Sequence, residues 1–249
     1  MNYSHPVLRS WIVVLASLCV SHASAAQTDT SFTEDVEKRV IALTNDLRKE
    51  HGLQPLQPDS RLTQTARSFA AYVAKTDKLD HDADGSTPPD RAKKSGYNFC
   101  IIAENLANEY RSEGFTPESL SRNFVQGWRE SASHRENMLQ PDVTEIGVGV
   151  AQAARSGEYY AVQMLARPLS QTVKFRVTNG TAQIIRYQYR GRGVEITPKQ
   201  VRAHASCVAG ELTFEWPGKQ QPSTLRPKDG DRYIVLDAGR GTYRVAQEK

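Results

Sequence analysis

Cysteine is scarce in this 249-residue chain, with three in all. One of them, Cys19, lies in the only extended apolar run, WIVVLASLCV. That run is too short to cross a membrane, which takes about twenty apolar residues, and no later segment comes close. It follows Arg9 and precedes the small-residue pattern Ala23-Ser24-Ala25, so residues 1–26 read as a Sec signal peptide cleaved near Ala25. Leu18 stands where a lipidated cysteine needs a small neighbour, which argues against a lipid anchor. The expectation is a secreted protein, periplasmic or extracellular, with no transmembrane segment after cleavage. Signatures of nucleophiles are missing too: there is no GxSxG, and Cys100 has no local catalytic pattern. His134 and Glu136 do not form HExxH, because the glutamate is two residues on and no second histidine follows. Internal repeats and low-complexity tracts are absent as well.

What is present divides unevenly. From Gln27 to Gln171 there are 17 Lys and Arg against 21 Asp and Glu, four negative charges in excess; from Thr172 onward there are 14 against 7, seven positive charges in excess. A composition break at PLSQT, residues 168–172, marks the expected domain boundary, giving domains over 27–168 and 172–249. After cleavage Cys100 and Cys207 remain, one in each domain. An oxidising compartment permits a disulfide between them, but spacing alone leaves open a bridge or two unrelated buried thiols.

The first domain begins with helical periodicity. Ser31 and Glu34 make a capping-box signal, and Val36, Val40, Leu43 and Leu47 share a face, which predicts a helix to about Glu50 stopped by Gly52. Leu62, Ala66, Phe69 and Val73 predict a second, ending near Leu79. Thr87-Pro88 and Thr116-Pro117 open a third and a fourth, with Pro at the first helical position. Ser133 and Glu136 predict a fifth that Pro141 ends. TEIGVGVA and YYAVQMLA then alternate as the strands of an antiparallel hairpin. Helices arriving before such strands predict an α+β layered domain. Beyond residue 172 only strand patterns appear. Asn179-Gly180 between two alternating runs predicts a hairpin, and LTFEW, YIVL and TYRV follow, so the second domain is expected to be a small all-β sandwich or barrel.

Three stretches stand apart from the packing pattern: LDHDADGSTPPDRAKKSGY around His81, AENLA around Glu104 and GWRESASHRENML around His134. Each places a titratable residue beside residues expected to end or begin a helix, so the three could share a cleft. Two imidazoles and a carboxylate suit a divalent ion such as zinc. They suit equally a metal-free acid/base group, and any one of them alone is explained as a cap or a hydrogen-bonded core residue.

In their order, LTNDLRKEHGLQPLQPDSRLTQTARSFA, HDADGSTPPDRAKKSGY, AENLA, W-x-x-S-x-x-HRENML, IGVGVA and YYAVQMLA resemble the CAP superfamily, in its bacterial SCP-like form. This superfamily comprises the cysteine-rich secretory proteins, antigen 5 and pathogenesis-related proteins. The resemblance spans roughly residues 36–168. It implies an α-β-α sandwich and a cleft where two histidines and two acids meet. His81 matches the first histidine, Glu104 the acid of a GENLA-type motif with Ala103 in place of glycine, and His134 the second histidine. The second acid falls three residues after a tryptophan like Trp128 in animal and plant members; Ser131 holds that place here, as in many bacterial members, and Glu130 beside it points elsewhere on a helix.

The resemblance implies no shared reaction. One reading is a ligand, whether metal ion, lipid or envelope component, bound in the His81, Glu104, His134 cleft, with the β domain as an attachment or partner-binding module. Another is a metal-assisted hydrolase or protease acting on peptide or cell-envelope polymer, in which His81 and His134 hold zinc and Glu104 ligates or serves as base. A third is a structural extracellular interaction protein. In the C-terminal domain Lys174, Arg176, Arg186 and Arg190 are expected on the polar face of the first hairpin. That face would attract anionic envelope polymers or acidic lipid head groups, not nucleic acid, or is a solvated face that protects sheet edges.

Overall fold

The computed structural model describes Met1 and residues 23–248, with side chains from Ser31 onward. Most of the signal-peptide reading, residues 2–22, lies outside the described residues. The first helix, α1 (Ala23–Glu50), starts upstream of the predicted Ser31 cap. No Gly or Pro interrupts residues 23–50, so Ser31 falls inside the helix. At its other end Gly52 adopts φ 70°, and Leu53 N–H donates to the Arg48 carbonyl at 2.9 Å.

α2 (Ser60–Thr76) is capped by Asp59, whose carboxylate accepts from Arg61 N and Leu62 N. It stops short of Leu79 because Asp77 turns into the left-handed region. α3 (Pro88–Lys94) and α4 (Pro117–Glu130) begin at Thr87 and Thr116, each with a full capping box. α5 (Ala132–Met138) begins two residues earlier than Ser133 would set it, with Ser131 at the N-cap position.

One sheet has the order β1-β3-β4-β2, from β1 (Gln57–Pro58), β2 (Phe99–Glu109), β3 (Glu145–Gln152) and β4 (Tyr159–Pro168). β3 and β4 form the expected antiparallel hairpin, with Ile146 facing Leu165 and Val148 facing Gln163. Alternation sends Ile146, Val148 and Val150 to a core with α1, α4 and α5, and sends Tyr160, Val162 and Met164 to a second core with α2 and α3. The result is the α-β-α sandwich. Gly147 and Gly149 face α2: a Cβ on Gly149 would lie 2.1 Å from Arg67 N, and one on Gly147 2.3 Å from Thr63 N. These glycines let the helix backbone lie directly on β3.

After a short 3-10 turn, Leu169–Gln171, all further elements are strands. β5 (Val173–Asn179), β8 (Val201–Ser206), β11 (Arg232–Gly239) and β12 (Thr242–Gln247) form a sheet of order β12-β11-β5-β8. β6 (Ile185–Tyr189), β7 (Arg192–Ile196), β9 (Leu212–Glu215) and β10 (Ser223–Leu225) form another of order β10-β9-β6-β7. The two enclose one core that includes Phe175, Val177, Tyr187, Phe214 and Val235, so the region is a sandwich and not a barrel.

The Asn179-Gly180 hairpin does not form. Its two runs belong to opposite sheets, because Asn179 is fully buried and uses its side chain across the gap. Its Nδ2 donates to the carbonyls of Gln183 and Ile196, and its Oδ1 accepts from Thr181 N. In consequence the four cations do not share one face: Lys174 and Arg176 point outward from β5, whereas Arg186 points outward from β6 and pairs with Glu195. Cys100 on β2 and Cys207 after β8 are joined by a disulfide with Cα atoms 5.7 Å apart. Among the described residues no helix is long and apolar enough to cross a membrane.

Candidate functional site

Glu104 lies in the middle of β2, not at a helix end as the sequence suggested. The strand carries mixed residues on both faces, FCIIAENLANE, so neither helical nor strand period stood out. β2 is an edge strand, and its two-residue period sends Glu104 and Asn105 to opposite faces of the sheet. One dipeptide therefore serves two layers.

On the α3 side the Glu104 side chain is 1% exposed and meets Arg91, itself 7% exposed, in a double contact: Arg91 Nη2 donates to Oε1 at 3.0 Å and to Oε2 at 2.9 Å. Arg91 also donates to the His81 carbonyl at 3.0 Å, the Ser86 carbonyl at 2.7 Å and Asp84 Oδ1 at 3.0 Å, and its guanidinium lies 3.5 Å from the centre of the Phe69 ring. The loop 80–87 is thereby folded over Glu104. His81 places Nδ1 2.9 Å from Glu104 Oε1 while its side chain stays 53% exposed. A proton on Nδ1 donated to the carboxylate leaves the lone pair on Nε2, directed away from that bond.

On the other face Asn105 Nδ2 donates to Gln163 Oε1 at 2.9 Å and to the His134 carbonyl at 3.1 Å. Asn137 Nδ2 donates to Asn105 Oδ1 at 2.8 Å, and Gln163 Nε2 donates to Thr44 Oγ1 at 2.9 Å. This polar row runs from α1 through β4 and β2 to α5, and Asn105, Gln163 and Thr44 are all 0% exposed. Arg48, equally buried, grips the far end of α5 through the Met138 and Gln140 carbonyls at 2.8 and 2.9 Å. α5 is thus held at both ends, and with it His134, which is half-buried. Burial lowers the His134 pKa below its ordinary value, and the charge of His81 lowers it further. The two imidazoles are therefore electrostatic neighbours.

A family model described as "Cysteine-rich secretory protein family" (CAP) matches residues 41–165, half of the chain. The chain belongs to the CAP family. Among its relatives, the YkwD protein of Bacillus subtilis (strain 168) is 33% identical over 156 residues, covering 61% of this chain and 56% of that one. The human Golgi-associated plant pathogenesis-related protein 1 is 22% identical over 130 residues, covering 52% of this chain and 81% of that one. An extracellular SCP-domain protein of Bacillus anthracis str. Ames shares the fold, with a TM-score of 0.50 and 23% identity over 59% of this chain and 45% of that one. The chain thus spans a little over half the length of the Bacillus subtilis relative.

Within this CAP fold the fourth position of the family tetrad is not filled by an acid. Ser131 Oγ approaches Ser133 Oγ at 3.4 Å, and Glu130 turns to the surface to accept from Gln126 at 2.6 Å. No group of three or more His, Cys, Asp and Glu among the described residues is arranged to hold a metal ion. Glu104 has both oxygens engaged by Arg91, and one of them also by His81, so its carboxylate stands behind His81 rather than beside it.

Sequence reasoning missed Arg91, Asn105, Gln163, Asn137 and Arg48. One signal was available. Gln163 interrupts the inward row Ala161, Leu165 of a core strand, where a polar residue needs a buried partner.

Proposed function

We propose that this CAP-domain protein is exported and binds a ligand at the free edge of β2, through the imidazoles of His81 and His134. The observation that carries the reading is the anchoring of His81: Nδ1 is held by Glu104, which is itself held by Arg91, while the ring remains exposed. A fixed imidazole with an open nitrogen is preorganised to receive a ligand, since little rotational freedom remains to be lost. Glu104 and Arg91 are positioning residues. The extracellular setting of the Bacillus anthracis SCP-domain protein is in keeping with export.

A divalent ion such as zinc is one ligand class that two neutral imidazoles accept, with Glu104 as the carboxylate that orients His81 from behind. A lipid or envelope component carrying a hydrogen-bond donor is another. The hydrolase reading needs Glu104 free as ligand or base, and its ion pair with Arg91 weighs against that role.

Calorimetry on the full mature chain, with zinc chloride and separately with lipid vesicles, tests the proposal. Saturable heat with either probe is expected, and it should vanish in the double variant His81→Ala/His134→Ala. Unchanged binding in that variant would remove the cleft from the account.

A further inference from the structure

In a β-sandwich the inward positions of every strand are normally apolar. Two strands here carry Arg or His at inward positions. β8 pairs with β5 so that Ser206, His204 and Arg202 stand opposite Val173, Phe175 and Val177, which all belong to the core. β7 pairs with β6 so that Arg192 stands opposite Tyr189, again on the core side. Both β7 and β8 are edge strands, one of each sheet. Their inward faces meet across the open side of the sandwich, where a groove of about 640 Å³ is lined by Arg190, Arg192, Arg202, His204, Ser206 and Tyr189, among others.

The groove is charged with one sign. No Asp or Glu lines it, and none of the three arginines takes part in an ion pair among the described residues. Arg190 is held by the Ser206 hydroxyl and the Val208 carbonyl. Tyr189 is 8% exposed, and among the described residues its hydroxyl has no hydrogen-bond partner. A phenol buried without a partner costs free energy that only an acceptor or a donor from outside can restore. Inward charge also shields exposed strand edges from other chains, but shielding needs no unsatisfied hydroxyl on a residue that lines the groove.

We infer that this groove, between the edges of β7 and β8, is a binding site for a phosphate-bearing ligand. Three guanidiniums without a carboxylate exceed what a single carboxylate ligand would neutralise, and the planar fork of arginine matches the oxygens of a phosphate ester. The Tyr189 hydroxyl supplies a further donor. This site is separate from the His81 and His134 cleft, and its case does not depend on that cleft's function.

The test uses the full mature chain and calorimetry with sodium tripolyphosphate, beside co-sedimentation with phosphatidylglycerol vesicles and phosphatidylcholine vesicles as control. Saturable binding is expected, weakened by about tenfold or more in Arg192→Gln/Arg202→Gln. Tyr189→Phe, which keeps the ring and its packing, is expected to weaken it by about threefold or more. Arg186→Gln, which removes the same charge from the outward face of β6, is expected to leave binding within about twofold. Melting temperatures establish that each variant is folded. Binding of tripolyphosphate alone identifies a soluble phosphate source, and binding of phosphatidylglycerol vesicles, competed by tripolyphosphate, identifies a lipid head group. Absence of saturable binding to both, or equal weakening by Arg186→Gln, overturns the inference.

Discussion

At the scale of single residues, the two histidines of the cleft differ in how they are held. His81 is fixed by its ring and His134 by its own backbone carbonyl, through Asn105. Burial is the larger reason that the His134 pKa lies below the ordinary 6.5, and the charge of His81 the smaller. The sign follows from proton counting. Below the ordinary value the unfolded chain takes up a proton that folded His134 resists, so this contribution to stability is complete above about pH 6.5 and declines as pH falls toward the folded pKa. His204, also lowered chiefly by burial, acts in the same direction. The expected outcome in an NMR titration is a His134 midpoint below 6.5, which His81→Ala moves upward without restoring it, because burial remains. A full return to the ordinary value would make His81 the dominant cause and contradict the burial argument. The identities of His81, Glu104 and His134 were legible in the sequence only through their order within the family pattern. Arg91 was invisible there, since an arginine on a short charged helix resembles any solvated cation until Glu104 is known to lie beneath it.

At the scale of elements, capping and periodicity placed the five α-helices among the described residues, with ends shifted at the starts of α1 and α5 and at Asp77, where the backbone turns left-handed. Strand β2 escaped because an edge strand that serves two layers mixes Glu, Asn and apolar residues without a period. The glycines of β3 are a second case in which spacing was legible and its reason was not. IGVGVA alternates as a strand should, yet only the position of α2 explains why the small residues are glycine. Gly149→Ala would set a methyl group 2.1 Å from Arg67 N, against a helix backbone that has no rotamer to change. The variant is expected to lose about 1–3 kcal/mol by overpacking, measured as a lower urea midpoint with an unaltered slope. An unshifted midpoint would mean that α2 moves away freely, and with it the packing account of this strand.

At the scale of the whole molecule, the change in charge at residues 168–172 coincides with the passage from the mixed sheet to strands alone. Which strands pair beyond residue 172 was not legible. Asn179-Gly180 carries the composition of a tight hairpin, but a buried asparagine that satisfies three backbone groups stabilises a crossing between sheets instead. Nor could spacing decide the disulfide, which joins residues 107 apart in sequence. Closing a loop of that length restricts the unfolded chain by roughly 4–5 kcal/mol in the chain-entropy description. The double variant Cys100→Ala/Cys207→Ala is therefore expected to unfold at clearly lower urea concentration than the oxidised protein, and dithiothreitol should bring wild type toward it. Equal midpoints for all three would show that the crosslink adds nothing to the folded state.

The place of that crosslink has a mechanical consequence. Phe99 pairs with Pro168, and Leu169 N–H donates to the Asn98 carbonyl, so β2 and β4 lie side by side where the chain leaves the sheet. The peptide segment after Pro168 and the disulfide at Cys100 therefore leave from the same end of two hydrogen-bonded neighbours. A pull on the sandwich divides between two covalent tethers and reaches both strands together. Tension arriving this way does not peel β4 off β2, and the strand that carries Glu104 moves as one body with its neighbour.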